Sequence, residues 1–155
     1  MAVTKFTVKG EVEIYYDGKV LKHHNNLDNT ARKIICHCLA GDNSYSINAM
    51  RLLYRCNDDP VGYTRFVLSK ISDSSFQNND TELKLNSLFK LEFGENSTSA
   101  TILMAVLEVW FSEPGTLPAG TPPPLQFSIC DLSDVTPSIE TSSKQLSINW
   151  TIKPQ

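Results

Sequence analysis

The chain has 155 residues, of which 41% are hydrophobic and 20% charged, and its formal net charge is −3 at pH 7. That length fits one domain, residues 1–155, able to bury roughly 70% of its extended-chain surface, so its stability requires neither disulfides nor a metal. The acidic balance argues against a general nucleic-acid binder. No stretch approaches the roughly 20 apolar residues of a membrane helix.

Charge is mildly uneven along the chain. Up to residue 70 there are 10 Lys/Arg against 7 Asp/Glu, and beyond it 4 against 10. Such a difference would help two copies meet head to tail, although solubility explains it equally well. The first ten residues lack the continuous apolar core of a secretory signal, so the expectation is synthesis and retention in the cytoplasm unless the chain is assembled into a particle. Cys36, Cys38, Cys56 and Cys130 are too few and too irregular for a disulfide framework. They read as reduced thiols packed as small hydrophobes.

The opening alternates with period two. Phe6, Val8, Val12, Ile14 and Tyr16 share one parity against Thr7, Lys9, Glu11 and Glu13, which predicts a half-buried strand over 4–16 with a bend at Gly10. Asp17-Gly18 suits a two-residue hairpin turn, with a return strand over 19–24. A helix follows near 28–40, capped by Asp28 or Asn29. It carries Ala31, Ile34, Ile35, Cys38 and Leu39 on one face and ends at Gly41. The helix is amphipathic and should pack on the sheet.

The remainder reads as strands over 47–55, 63–71, 82–93, 100–111, 125–130 and 145–153. Turn formers separate them at 57–60, 72–80, 94–99 and 113–124. The segment 100–111 is apolar on both parities, which predicts a strand covered on both faces in the middle of a sheet. In the last strand Leu146, Ile148, Trp150 and Ile152 alternate with polar residues. Both terminal segments carry enough apolar side chains to be integral strands, with Trp150 between the layers. About eight short strands and one early helix predict a mostly-β chain, an antiparallel β-sandwich of jelly-roll-like form. Pro114, Pro118, Pro122, Pro123 and Pro124 should stiffen 113–124 into an extended, hydrogen-bond-poor loop. It reads either as a projecting interface arm or as an ordinary long crossover.

Few residues suggest chemistry. Cys36-His37-Cys38, with His23 and His24 upstream, tempts toward zinc, but helical geometry points Cys36 and Cys38 about 160° apart. No nucleophile elbow, cysteine-protease signature or glycine-rich phosphate loop is present. Asp58-Asp59 and Asp131 with Asp134 read as turn and capping residues before calcium ligands. Asn79, Asn96 and Asn149 head glycosylation sequons, which mean nothing without secretion. Trp110 and Trp150 share parity with core residues, so core packing is expected before a sugar-stacking platform with the tyrosines. No catalytic residue, metal ligand or cofactor is assigned.

The order of elements carries one resemblance. Gly10-Glu11-Val12-Glu13-Ile14-Tyr15-Tyr16-Asp17-Gly18-Lys19-Val20-Leu21 runs through His24-Asn25-Asn26-Leu27 into the helix ending Leu39-Ala40-Gly41-Asp42. The chain closes on an alternating strand containing Trp150-Thr151-Ile152. This is similar to small tailed-phage virion structural proteins, of the head-decoration or tail-associated β-sandwich kind. Where those chains often carry a glycine-rich strand after the helix, this one has Met50-Arg51-Leu52-Leu53-Tyr54-Arg55. The resemblance implies a non-enzymatic virion protein, most simply an auxiliary or decoration protein on the capsid shell. Its expected partners are the major capsid protein or other virion proteins and further copies of itself in a homo-oligomer, with neither nucleic acid nor membrane among them. The other reading is a tail, baseplate or fibre-associated module that binds glycan or receptor through exposed aromatics.

Overall fold

The computed structural model describes residues 8–16, 18–26, 29–135, 137–141 and 145–154. Its elements are β1 (Val8–Tyr16), β2 (Lys19–Asn26), α1 (Asn29–Leu39), β3 (Ala49–Cys56), β4 (Arg65–Lys70), β5 (Asp73–Gln77), β6 (Glu82–Lys90), β7 (Ser99–Val109), β8 (Leu125–Asp131), β9 (Ser138–Glu140) and β10 (Gln145–Pro154). Two antiparallel sheets pack face to face as the expected β-sandwich. The first has the order β2-β1-β10-β6-β5, and the second β4-β3-β7-β8 with β9 also on β7. Four hairpins (β1–β2, β3–β4, β5–β6 and β7–β8) alternate between the sheets. This order does not by itself establish the jelly-roll form.

Local chemistry explains most boundaries. The pairing of Tyr16 with Lys19 leaves a two-residue turn in which Gly18 has φ +68°, as the hairpin expectation required. Asp17, Asp28 and residues 4–7 lie outside the described residues. The helix ends in a Schellman motif. Gly41 N–H donates to the Cys38 carbonyl at 3.0 Å and Asp42 N–H to that of His37 at 3.0 Å, with Gly41 at φ +85°. Two strands have no signal in the sequence. β5 is Asp-Ser-Ser-Phe-Gln inside a predicted separator, and β9 has three residues. The β5–β6 turn uses Asn78, Asn79 and Asp80 at φ 50°, 57° and 64°, residue types that tolerate the left-handed region.

The predicted terminal strands are integral, and they pair with each other. β1 lies along β10 in the middle of the first sheet, with Val12 opposite Trp150 and Ile14 opposite Ile148. One cluster of buried side chains fills the space between the sheets, including Val12, Ile14, Met50, Leu52, Phe89, Ile102, Leu107, Phe127 and Ile148. Trp150 is fully buried within it, as expected. From α1, Ala31 and Ile34 join this core and Ile35 packs at its margin, but Leu39 is 84% exposed and Cys38 is also exposed. The apolar face of the helix is thus narrower than its spacing predicted. Of the cysteines, Cys56 and Cys130 are buried as expected, whereas Cys36 and Cys38 are exposed. Among the described residues, no helix is long and apolar enough to cross a membrane.

Candidate functional site

The outer face of the second sheet departs from a simple solvated surface. On β3, Met50, Leu52 and Tyr54 point into the core, so alternation sends Ala49, Arg51 and Leu53 outward. Their cross-strand neighbours are Lys70, Leu68 and Phe66 on β4, and Glu108, Val106 and Met104 on β7. Ala49, Val106 and Glu108 are buried all the same. The both-faces burial predicted for 100–111 is observed over 105–110, where this outer covering lies, while 100–104 is buried on its inner face only.

Trp110 explains part of the covering. It is buried, but on this face and outside the inter-sheet cluster, contrary to the core position its parity suggested. The extra residue Leu103, where Leu53 pairs with Met104 but Tyr54 with Ile102, flips the alternation of β7, so that Ile102 points inward while Glu108 and Trp110 fall on the outer face. The Trp110 backbone is clamped by Asn48, whose amide both donates to the Trp110 carbonyl and accepts from its N–H, each at 2.9 Å. The indole N–H donates to Glu108 Oε1 at 2.9 Å. Arg51 donates to the same carboxylate through Nε at 2.9 Å and Nη2 at 3.3 Å. The Glu108 charge is thereby held out of water by a cation and a neutral donor. Arg51 also lies 4.8 Å over the ring of Phe66, which is itself 64% exposed.

The proline-rich segment is part of the same face. Its course is broken by turns where a continuously extended, hydrogen-bond-poor run was expected. Thr116 N–H closes a turn on the Glu113 carbonyl, and Thr121 N–H another on that of Pro118, with Gly115 and Gly120 at φ 90° and 84°. Proline fixes φ, but the Pro114-Gly115 and Pro118-Ala119-Gly120 steps favour turns over a continued extended run. Glu113 pairs with Lys70 of β4, and Gly115 lies against Leu68. Pro114 and Pro124 are half-buried, while Pro118, Pro122 and Pro123 are exposed beside the exposed Leu117.

Next to Phe66, the β3–β4 loop is tied down by side chains. Arg65 makes a forked contact with Asp59 at 2.9–3.2 Å and lies over the exposed Tyr63. That guanidinium holds the Asp59 carboxyl below its ordinary value, helped by the Cys56 N–H. Asp58 accepts from Ser97 and from the Asn96 N–H, packed so closely on Gly94 that a Cβ there would sit 2.6 Å from its oxygens. Cys56, Asp58 and Asp59 bring ligand atoms within 4.8 Å of one another, the one such group among the described residues. Arg65 already supplies the positive charge at Asp59, so the acids act here in turn formation.

The remaining candidates do not converge. His23 and His24 project to opposite faces of β2, His23 Nε2 lying 3.0 Å from the Asp131 carbonyl and His24 beside Glu11. His37 stacks on Tyr45 at 3.9 Å and contacts Asp42, while Cys38 donates to the Tyr45 carbonyl. Although Cys38 is exposed, the partial loss of water around its sulfur, and then Asp42, hold the thiol above its ordinary value. Asp131 caps a turn through Ser133. The network of Arg51, Glu108 and Trp110 escapes sequence reasoning because its members are 57 and 2 residues apart in the chain and only strand register unites them. Glu108, the one charge within the apolar segment 100–111, was the available signal. Against known proteins, the chain matches no family model, no curated protein and no solved structure at a significant level.

Proposed function

We propose that this chain is a non-enzymatic structural protein of a phage particle, an auxiliary or decoration protein that docks on the capsid shell through the outer face of its second sheet. The observation that carries the docking surface is Phe66, an exposed aromatic held by Arg51 on a face whose charges are already internally paired. A large exposed apolar side chain standing on a sheet face has the character of an interface hot spot. The phage assignment is supported by the resemblance of the opening hairpin–helix and the closing strand. A small homo-oligomer of closed symmetry would multiply the contact on the shell. The alternative, a tail or fibre-associated module, gains nothing from sugar stacking on tryptophan, since Trp110 and Trp150 are both buried.

Mass spectrometry of purified particles should find the chain in copy number comparable with the major shell protein. Phe66→Glu should abolish attachment while moving the melting temperature by little, because the ring is mostly in water. A chain found only in tails, or a Phe66→Glu variant that still decorates heads, would overturn the proposal.

A further inference from the structure

A second surface combines an open sheet edge with an apolar cavity. β5 ends the first sheet, with β6 as its strand neighbour, and all five of its residues are exposed. An edge of this kind presents backbone N–H and C=O groups that another chain can use, the Ser74 N–H being held here by the Asp73 carboxylate at 2.9 Å. The register sets Ser74 opposite Leu85 and Phe76 opposite Leu83, so both β5 side chains point to the inner face. Below them is a cavity of about 470 Å³, lined by Ser74 and by Ile34, Ile47, Leu83, Leu85 and Phe127 among others. Cys38 is the one titratable side chain in its wall. The volume is about three times that of a cavity holding one benzene ring, roughly 150 Å³. It therefore has room for two or three apolar side chains. Phe76, 67% exposed, continues the apolar surface along the strand.

Charge narrows the occupant. Residues 71–83 contain Asp73, Asp80 and Glu82 and no Lys or Arg. Of the flanking cations, Lys70 is paired with Glu113, and Lys84 lies with Asp73 on the face away from the cavity, so residues 71–84 keep three acids against one cation. We infer that β5 and the cavity beneath it form an acceptor groove for an extended segment of a partner protein, basic at its ends and apolar at alternating positions, which joins the sheet as a sixth strand. Main-chain hydrogen bonds to β5 supply affinity, and alternate side chains dropping into the cavity supply specificity. A small apolar molecule would fill the cavity but leave the strand edge and Phe76 unused. The inference goes beyond the virion reading, since it holds whichever assembly supplies the segment.

The test titrates the full chain with the capped peptide Lys-Val-Thr-Val-Ser-Val-Lys and with its counterpart carrying Glu at both ends. Amide hydrogen exchange is followed by NMR. The expected result is saturable binding of the basic peptide with slowed exchange at the β5 amides. Ser74→Trp, which fills the mouth of the cavity, should weaken binding at least tenfold. Asp73→Lys, an exposed position whose change also frees the Ser74 N–H, should reverse the preference in favour of the acidic peptide. If Ser74→Trp does not fold, Asp73→Lys decides. Absence of saturable binding at millimolar peptide, binding without β5 protection, or an unchanged preference in Asp73→Lys overturns the inference. Uptake of an apolar dye without peptide binding would assign the cavity to small molecules. β5 protection that rises with protein concentration alone would assign the edge to a second copy. Either outcome also overturns it, and none bears on attachment through Phe66.

Discussion

Trp150 sits at the centre of the molecule, between Val12 on β1 and Leu85 on β6, and is fully buried. Its indole N–H has no hydrogen-bond partner among the described residues. The ring's packing therefore outweighs an unpaired donor that costs about 1–3 kcal/mol. Trp150→Ala should lower stability by about 3–5 kcal/mol, the range for a large aromatic removed from a core. Trp150→Phe should cost markedly less, because it removes the unpaired donor along with part of the ring. Chemical denaturation of both variants checks the order, and equal losses would contradict it. Arg51 presents the opposite case, where pairing matters more than volume. Its loss would leave the Glu108 carboxylate buried without a cation. Arg51→Ala should cost about 2–3 kcal/mol, less than the about 3–5 of a fully enclosed pair, since Arg51 keeps 22% of its side chain accessible. Replacing Arg51 by Met together with Glu108 by Gln, whose amide oxygen still accepts from the Trp110 indole N–H, should recover most of that loss in the same measurement.

At the scale of elements, the period-two segments are legible because one face of each is core and the other is water. That holds for β1, β6 and β10, and the two-residue turn and Gly41 punctuate the chain where their residue types predict. The helix stop can be checked directly. Gly41 has φ +85°, and a Cβ added there would meet no atom within 4 Å, so Gly41→Ala introduces only backbone strain. It should cost about 1–2 kcal/mol, the usual penalty for a side chain in the left-handed region, read as a lower thermal midpoint. β5 is illegible for a physical reason. An edge strand with both faces largely in water needs no apolar alternation, and its pairing with β6 rests on backbone bonds that any sequence can make. The proline-rich loop at 113–124 predicts an extended course, whether arm or crossover, because proline content reports stiffness and not direction. Its two glycine turns and the Lys70–Glu113 pair set the direction.

For the whole molecule, acid should be the effective denaturing condition. The carboxyls of Glu11, Asp42, Asp59 and Asp131 are all held below their ordinary values, by Lys153, Ser44, Arg65 and Ser133 respectively as the first cause. A depressed folded-state value contributes stability that is present above the unfolded value and lost as pH falls through the folded one. Thermal midpoints should therefore stay nearly level from neutral pH down to about 5 and fall below about 4, where these groups begin to protonate in the unfolded chain. Asp59→Asn should shallow that fall, and a midpoint that rises on acidification would contradict the assignment. The mostly-β class, the early helix, the integral terminal strands and the buried Trp150 follow from the order of residues alone, because each depends on a local period or a local turn. That Trp110 covers an outer face, that Arg51 and Glu108 meet, and that an apolar cavity opens beside β5 is settled by the folded chain. Those features depend on strand order and register between segments far apart in the chain, which no local pattern specifies.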